Sequence, residues 1–504
     1  MLARCRIWIV LAAVVGLPST GALAGAAPAG DEADEERGIT YRIGGAALNF
    51  SFDAGFGAFS AANTGFGIGS TSIDASGQRK GTRQWTEGFV HPILKGRYEI
   101  PEGGLAYGVF SVIGAATRGD GDAALQSTTA DHPQRVLIED AALGWKSGDL
   151  YPQLGSDAFD VSVGNQSFSV GDGFIVFDGT ADGGRRAMYV LGHRTAFERT
   201  AILSVNTEPV RVDVFHLESV TDQTLMRGTD APHSEFVGGN LEWFESSRDS
   251  RGRFEYDERK RYVGLTALYF TAADSSGNFS FASGGNGSAL GANRDGLAVG
   301  TVRFGGVMLP GMPRFELFGE YGVQHNDAAL RRVRAEAWYI EPQYVLPLPW
   351  SPRVSYRYAH FSGDGNPNDH TDRSWDPLFP DTGPRSIGTW TLGEIYERYS
   401  GFANSNLDAH QIHVRAKPDS SWLFGAILYH LDFAKPAQTA GVTAKGIMDE
   451  IDIYARWTPP IDGLSIMPLA GAAKPRAGLR QALGNADSND RTFWLTEVIA
   501  RYKF

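Results

Sequence analysis

Cysteine is nearly absent. The single one, Cys5, precedes an early apolar run, so the body of the chain has no thiol with which to form a disulfide or bind a soft metal. A second lack is any apolar stretch of helical spanning length beyond that early run, which excludes a helical membrane protein. Basic residues are also in deficit, 46 Lys and Arg against 58 Asp and Glu, which argues against a nucleic-acid partner. Catalytic signatures are missing too: there is no G-x-S-x-G elbow, no P-loop and no H-E-x-x-H. The cluster Gly65-Phe66-Gly67-Ile68-Gly69 has no βαβ context and reads as a loop or strand end. His410 and His413, three apart in a strand, fall on opposite faces and cannot share a metal.

At the start, Arg4 and Arg6 precede the apolar run Ile7 to Leu17, and Ala22-Leu23-Ala24 follows as a small-residue cleavage signal. This order is that of a secretory leader, residues 1–24, and its loss takes Cys5 with it. Removing Arg4 and Arg6 leaves 44 basic against 58 acidic residues, a mature net charge of −14. Residues 25–38, with the acidic run from Asp31 to Glu36, read as a short periplasmic lead. A long exported chain without disulfides needs another source of cohesion. Closure of a sheet on itself, in which each strand bonds two neighbours, supplies it.

Alternation with a period of two recurs from residue 39 to the C-terminus. Leu48, Phe50 and Phe52 alternate with Asn49, Ser51 and Asp53, and Val210, Val212 and Val214 enclose Arg211 and Asp213. Ile451, Ile453, Ala455 and Trp457 oppose Glu450, Asp452, Tyr454 and Arg456. Connectors alternate in length. Asn206-Thr207-Glu208-Pro209 and Pro459 to Gly463 are short, whereas 119–134, 274–295 and 363–406 are long and polar. The last strand alternates Trp494, Val498, Tyr502 and Phe504 with Glu497, Arg501 and Lys503, ending on phenylalanine. The expected fold is all-β, a single transmembrane antiparallel barrel over residues 39–504 with 16–18 strands, 18 preferred, in the bacterial outer membrane.

If apolar positions face lipid, their neighbours face the lumen. That set includes Lys95, Arg97, Arg211, Arg357, His413, Arg415, Lys417, Arg456, Arg501 and Lys503, accompanied by Glu99, Asp213, Glu450, Asp452 and Glu497. Arg185 and Arg186, after Gly183-Gly184, suit a loop folded toward the pore. The inward set leans basic in an acidic chain, so much of the acid is expected in the long loops. Arg97, Arg185, Arg186, Arg211, Arg357, His413, Arg415 and Arg456 are the candidate path for an anion. The oxygen-rich loop Asp364, Asn366, Asp369 and Asp372 is a calcium candidate; no other cofactor is expected.

The run from Tyr356 through Ser362-Gly363-Asp364-Gly365-Asn366-Pro367 to Trp375-Asp376-Pro377-Leu378-Phe379-Pro380 resembles the alginate export family. Glu139-Asp140-Ala141 with Trp145, Val163-Gly164-Asn165-Gln166 with Gly171-Asp172-Gly173, and Asp449-Glu450-Ile451-Asp452-Ile453 resemble its other strands. The resemblance implies a monomeric 18-stranded barrel with an electropositive pore for an anionic polysaccharide, served by periplasmic export partners. Asn165 departs from the pattern, standing where the family usually has arginine. The alternatives are an uptake porin for small organic anions or sugars, a barrel enzyme, and a surface adhesin.

Overall fold

A computed structural model describes residues 37–504 apart from 71–80, 125–128, 178, 180–182, 192–193, 221–232, 246–260, 274–293, 307–308, 330, 367, 381–389, 391, 401 and 485–488. The leader, its cleavage site and the acidic run of the lead lie outside the described residues, as do Pro367 and most of the 274–295 connector.

The first strands are β1 (Ile39–Ile43), β2 (Ala46–Ala62), β3 (Thr82–Ile100), β4 (Gly104–Gly119), β5 (Gln134–Lys146) and β6 (Phe159–Gln166). After the short helix α1 (Gly183–Arg186) come β7 (Phe197–Thr207), β8 (Val210–Val220), β9 (His233–Phe244), β10 (Arg261–Ala273), β11 (Ala298–Gly306), β12 (Phe315–Asn326) and β13 (Arg332–Val345). The remainder are β14 (Arg353–Phe361), β15 (Thr371–Asp372), β16 (Leu407–Ala416), β17 (Trp422–Phe433), β18 (Gly446–Trp457), β19 (Leu464–Pro475), α2 (Ala477–Ala482) and β20 (Phe493–Lys503).

Strands pair antiparallel with their chain neighbours, β14 with β16 directly, and β2 closes the sheet on β20 from Asp53↔Lys503 to Ala62↔Trp494. Two of the twenty strands stand outside this ring. Two-residue β15 lies parallel to β13, and β1 pairs with β2 alone. Eighteen strands therefore form a closed antiparallel barrel, as the alternation predicts.

Alternation sets the two faces. Leu48, Phe50, Val90, Leu94, Val161, Val163, Val214 and Ile453 are exposed on the outside, a continuous apolar surface that water would not tolerate and a bilayer requires. Asn49, Ser51, Asp53, Ser162, Asp213, Glu450 and Asp452 are inward and buried. Aromatic rings mark both edges of the belt: Trp422 stacks on Trp457 at 5.7 Å near one end, and Trp338 meets Tyr358 at 5.2 Å near the other.

Near the outer ends of several strands this polarity reverses. Phe361, Leu407, Leu431, Phe433 and Met448 point inward and are buried, while His360, Asp408, His430, Asp432 and Asp449 point outward. The cause is the course of the 167–196 and 362–406 connectors, which fold into the barrel. Phe174 packs on Trp390 at 4.8 Å and on Trp375 at 5.9 Å, and Phe379 stacks on Phe236 at 5.2 Å. Inward positions there meet protein rather than water, so they are apolar.

The closing seam carries one charged pair. Arg501 Nε on β20 lies 2.9 Å from both carboxylate oxygens of Asp53 on β2. Asp53→Asn should lower the stability of the folded barrel by roughly 1–2 kcal/mol, since Arg501 is about a third exposed and part of its loss is taken up by water. Heat-modified gel mobility checks this: a melting curve superimposed on that of the unmodified chain would show that the pair is not part of the closure.

Candidate functional site

A connector running inside a barrel carries backbone N–H groups with no strand to receive them. Carboxylates of the wall take them instead. On β3, Glu87 accepts from the N–H groups of Tyr189, Val190 and Leu191 at 3.1, 2.9 and 2.9 Å. Glu139 on β5 accepts from Thr195 and Ala196 at 2.7 and 3.0 Å, with Arg194 Nε at 3.1 Å. On the other side of the β2–β20 seam, Glu450 accepts from Ile395 and Tyr396 at 2.7 and 3.0 Å, Asp452 from Glu394 at 3.3 Å, and Glu497 from the Tyr399 hydroxyl at 3.0 Å. Gly393, at φ +101°, makes this approach feasible, because a Cβ there would sit 2.7 Å from the Glu450 carboxylate.

The two connectors also grip each other. The Tyr189 hydroxyl donates to the Arg398 carbonyl, Arg398 Nη1 donates to the Val190 carbonyl at 3.0 Å, and Arg398 pairs with Glu394 at 2.7 Å. Burial, aided by the Asp122 carboxylate, pushes the Tyr189 phenol up, so it stays a donor. A second tie runs through Asp172. Its carboxylate accepts from Tyr262 and Tyr339, each at 3.3 Å, and its carbonyl accepts from Trp390 Nε1 at 2.9 Å. The acidic residues in the motifs around Glu139, Asp172 and Glu450 are thus anchors of the inward connectors.

The cations named from the sequence separate into two groups. Arg357 is inward but sealed: Glu341 holds it at 2.9 and 2.6 Å, and its guanidinium lies 4.8 Å from the Trp390 ring centre. Arg211 pairs with Asp213 at 3.0 Å, and buried His413 bonds the Tyr454 hydroxyl at 2.8 Å. These three belong to the fabric of the wall. Arg415, by contrast, meets the neutral Gln343 amide at 3.0 Å and is a register partner of Arg353. Arg456, half-buried, forms no ion pair among the described residues. Arg97 and Lys95 face inward from β3, opposite Ala47 and Asn49. Arg185, exposed, and Arg186, half-buried, lie on α1 inside the first connector, where Gly184 packs against Ala115 of β4.

Together with Arg501, Lys503 and Arg42, which shares the Ala47 row with Arg97, these residues make a basic crescent from β14 through the seam to β3. Carboxylates stand among them too: Asp53, bonded to Arg501, Glu316, 3.9 Å from Arg353, and Glu99, two residues from Arg97 on β3. On the facing wall Arg211 pairs with Asp213 at 3.0 Å, while beside the crescent Tyr107, the register partner of Arg97, donates to Asp160 at 2.6 Å. Sequence reasoning missed Arg42, Arg353 and Arg303. The last is buried against Glu242 at 2.8 Å, and its flanking Val302 and Phe304 carried the period-two signal that would have found it.

Two expectations change. The acidic loop proposed for calcium is closed by arginines. Arg331 pairs with Asp364 and lies 3.8 Å from Asp372, and Arg373 reaches Asp369 at 3.0 Å and Asp364 at 3.6 Å. Asn366 contributes its N–H to Asp364 at 3.0 Å, so guanidinium charge already fills the place of a metal. Second, Asn165 shares the outward parity of Val161 and Val163, and its side-chain oxygen accepts from the Arg199 N–H at 3.3 Å. Its departure from arginine therefore removes no cation from the lumen face.

Residues 293–448 match the family model described as Alginate export. The run from Tyr356 to Pro380 lies inside that span; the Glu139 and Val163 motifs precede it and the Asp449 motif follows it. No curated protein sequence matches the chain. Among solved structures, Pseudomonas aeruginosa OccK5 (OpdH) is similar at a TM-score of 0.51 and 9% identity over 90% of this chain and 98% of its own. Pseudomonas aeruginosa OccK2 (OpdF) aligns at 0.50 and 12% identity over 90% and 97%. A BenF-like porin from Pseudomonas fluorescens Pf-5 aligns at 0.50 and 10% over 91% and 98%. What the chain shares with these three is the fold, a closed antiparallel β-barrel.

Arg398→Ala should loosen the grip between the two connectors, removing the Val190 and Glu394 contacts while the carbonyl bond to Tyr189 and the Asp172 tie remain, and raise both the open-channel current and its fluctuation in a planar bilayer. Identical current and noise would show that the grip does not narrow the lumen. EDTA should leave the melting temperature unchanged, whereas Arg331→Ala lowers it. A drop with EDTA, restored by calcium, would return the acidic loop to metal binding.

Proposed function

We propose that the chain is exported by its leader, residues 1–24, and works as a monomeric outer-membrane channel that passes an anionic polysaccharide or related anionic solute along the basic crescent. The observation that carries this reading is the gathering of cations low on one side of the wall, where Arg353 and Arg415 are register partners, Arg415 meets the neutral Gln343 amide, and Arg456 follows on β18. A low-dielectric wall focuses such a field and concentrates anions. Neighbouring guanidinium groups would receive successive carboxylates of a polyuronate bidentately, and their spread over several strands keeps each contact weak enough to release cargo. The match of residues 293–448 to the alginate export family favours a polymer. The grip between the connectors favours a second reading, in which the solute is a small organic anion threaded past Arg185 and Arg186.

Reversal potentials under a potassium chloride gradient test this. We expect anion preference, blocked by added polyuronate and reduced by Arg456→Ala or Arg415→Ala. Arg357→Ala should instead lower stability, with little effect on selectivity, because its charge is sealed beneath Trp390. Cation selectivity, or indifference to both crescent variants, would overturn the reading. Block by monomeric uronate but not by polymer would favour the small-anion alternative.

A further inference from the structure

The reversal of polarity near the outer strand ends is sharp enough to follow row by row. On β14, β16, β17 and β18 the exposed outward residues Tyr356, Ile412, Leu428 and Ile451 are register partners in turn and close the apolar belt. The next outward row, two residues or about 7 Å further along the strands, is Tyr358, His410, His430 and Asp449. Beyond it come His360, Asp408 and Asp432. Within one step of the last apolar side chains, three imidazoles stand on the lipid-facing parity.

Their partners hold them in place. His360 Nδ1 lies 2.6 Å from Asp408, which also accepts from the Tyr358 hydroxyl at 3.0 Å. His430 Nδ1 lies 2.6 Å from Asp449, and its Nε2 receives Arg476 Nη1 at 3.0 Å. The same Arg476 nitrogen donates to Asp432 at 2.6 Å. His410 Nδ1 meets the Tyr356 hydroxyl at 2.8 Å and has no carboxylate partner among the described residues. Other charges border the row. Lys445, just ahead of β18, is close enough to act on Asp408, and Glu336 stands one outward position beyond Trp338, the partner of His360. Lys474, opposite Asp449, shares Asp490 with Arg480, each at 3.2 Å.

With neutral imidazoles this band holds four cations, on Arg476, Lys445, Lys474 and Arg480, against five carboxylates, on Asp408, Asp432, Asp449, Glu336 and Asp490. Protonating the three histidines makes seven against five, so the sign of the band reverses. Histidine is the side chain whose charge changes between about pH 5 and 8. A proton on His430 Nε2 also turns the acceptor of Arg476 into a donor. Imidazolium and guanidinium then compete for Asp432, whose second oxygen lies 3.6 Å from Nε2. The guanidinium is released to turn outward, and one proton supplies two cations.

We propose that this histidine row is a proton-switched binding surface for the anionic phosphate head groups of the surrounding lipid. The inference rests on the membrane-spanning part of the channel reading. Position selects the occupant, because the row continues the lipid-facing parity into the layer where hydrocarbon gives way to phosphate. In acid, imidazolium and guanidinium donors hold the phosphate oxygens; at neutral pH the carboxylates repel them.

The test places the folded full chain in phosphatidylcholine bilayers and measures, by electron spin resonance, the share of spin-labelled lipid immobilised at the barrel surface. Phosphatidylglycerol and phosphatidylcholine are the two probes. Phosphatidylglycerol keeps its single negative charge across this range, so a change in preference belongs to the protein. Between about pH 8 and about pH 5.5 the preference for phosphatidylglycerol should rise roughly twofold. His360→Gln, His410→Gln and His430→Gln together should remove at least half of that rise. The outward histidines His216, His233 and His325, beside Glu235, Glu218 and Asp327, stay in place and account for the remainder. His430→Gln alone, which removes the coupling to Arg476, should take the largest single share and serves if the triple variant folds poorly. A preference that is flat with pH in the unmodified chain, or a rise that the variants keep in full, would overturn the proposal. Absence of immobilised lipid with either probe would instead overturn the membrane reading beneath it.

Discussion

Every backbone N–H and C=O in this molecule must find a partner where bulk water does not reach, and two solutions to that constraint shape the whole structure. Facing lipid, the solution is closure: β2 pairs with β20, and no strand of the ring keeps a free edge. Inside the lumen, the 167–196 and 362–406 connectors cannot join a strand, and wall carboxylates receive their N–H groups instead. Glu87, Glu139, Glu450 and Asp452 are therefore as much a part of the backbone network as the ladders are. A carboxylate that accepts two or three N–H bonds is satisfied without a cation beside it, which is how buried acid is accommodated where the connectors lie.

The same constraint sorts the charges. Where the connectors lie, carboxylates are engaged by backbone and by buried arginines such as Arg294 with Asp376 at 2.6 Å and Arg303 with Glu242 at 2.8 Å. Below them no connector needs anchoring, and wall charges meet one another or a neutral partner instead, as Arg211 with Asp213 and Arg415 with Gln343. A formal net charge of −12 thus says little about the path. The expectation that acid would collect mainly in the long loops is half right. Asp364, Asp369 and Asp372 are there, but Glu87, Glu139, Glu450 and Glu497 are on strands.

Strand existence, face and closure were legible because lipid imposes a strict rule on one side of every strand: Ile451 and Ile453 out, Glu450 and Asp452 in. In the structure Arg415 and Arg456 share the parity of buried His413 and Tyr454. What parity could not tell was which inward cations remain open. Arg357 and Arg415 look alike in sequence, each between apolar neighbours, yet one is covered by Trp390 and the other faces Gln343. That difference is made by a connector more than thirty residues away, and periodicity carries no information about where a connector folds. The reversal of polarity near the outer strand ends was readable in principle. His430, Asp432 and Asp449 occupy the parity of lipid-facing Leu428 and Ile451, a signature that the strands there have left the membrane.

Seen this way, the acidic calcium candidate and the anchors are variants of one device. Arg331 and Arg373 bind the carboxylates of a loop exposed to solvent, where Asp369 is held below the usual carboxylate range by the Thr371 N–H and by Arg373. Its contribution is present at neutral pH and lost as pH falls through that lowered value, so acid loosens the loop. The wall anchors use the same acceptor with a different donor, a backbone N–H group in place of a guanidinium. An N–H group has one direction and one reach, so these anchors fix where a connector runs, whereas a guanidinium on a long side chain gathers several carboxylates of one loop.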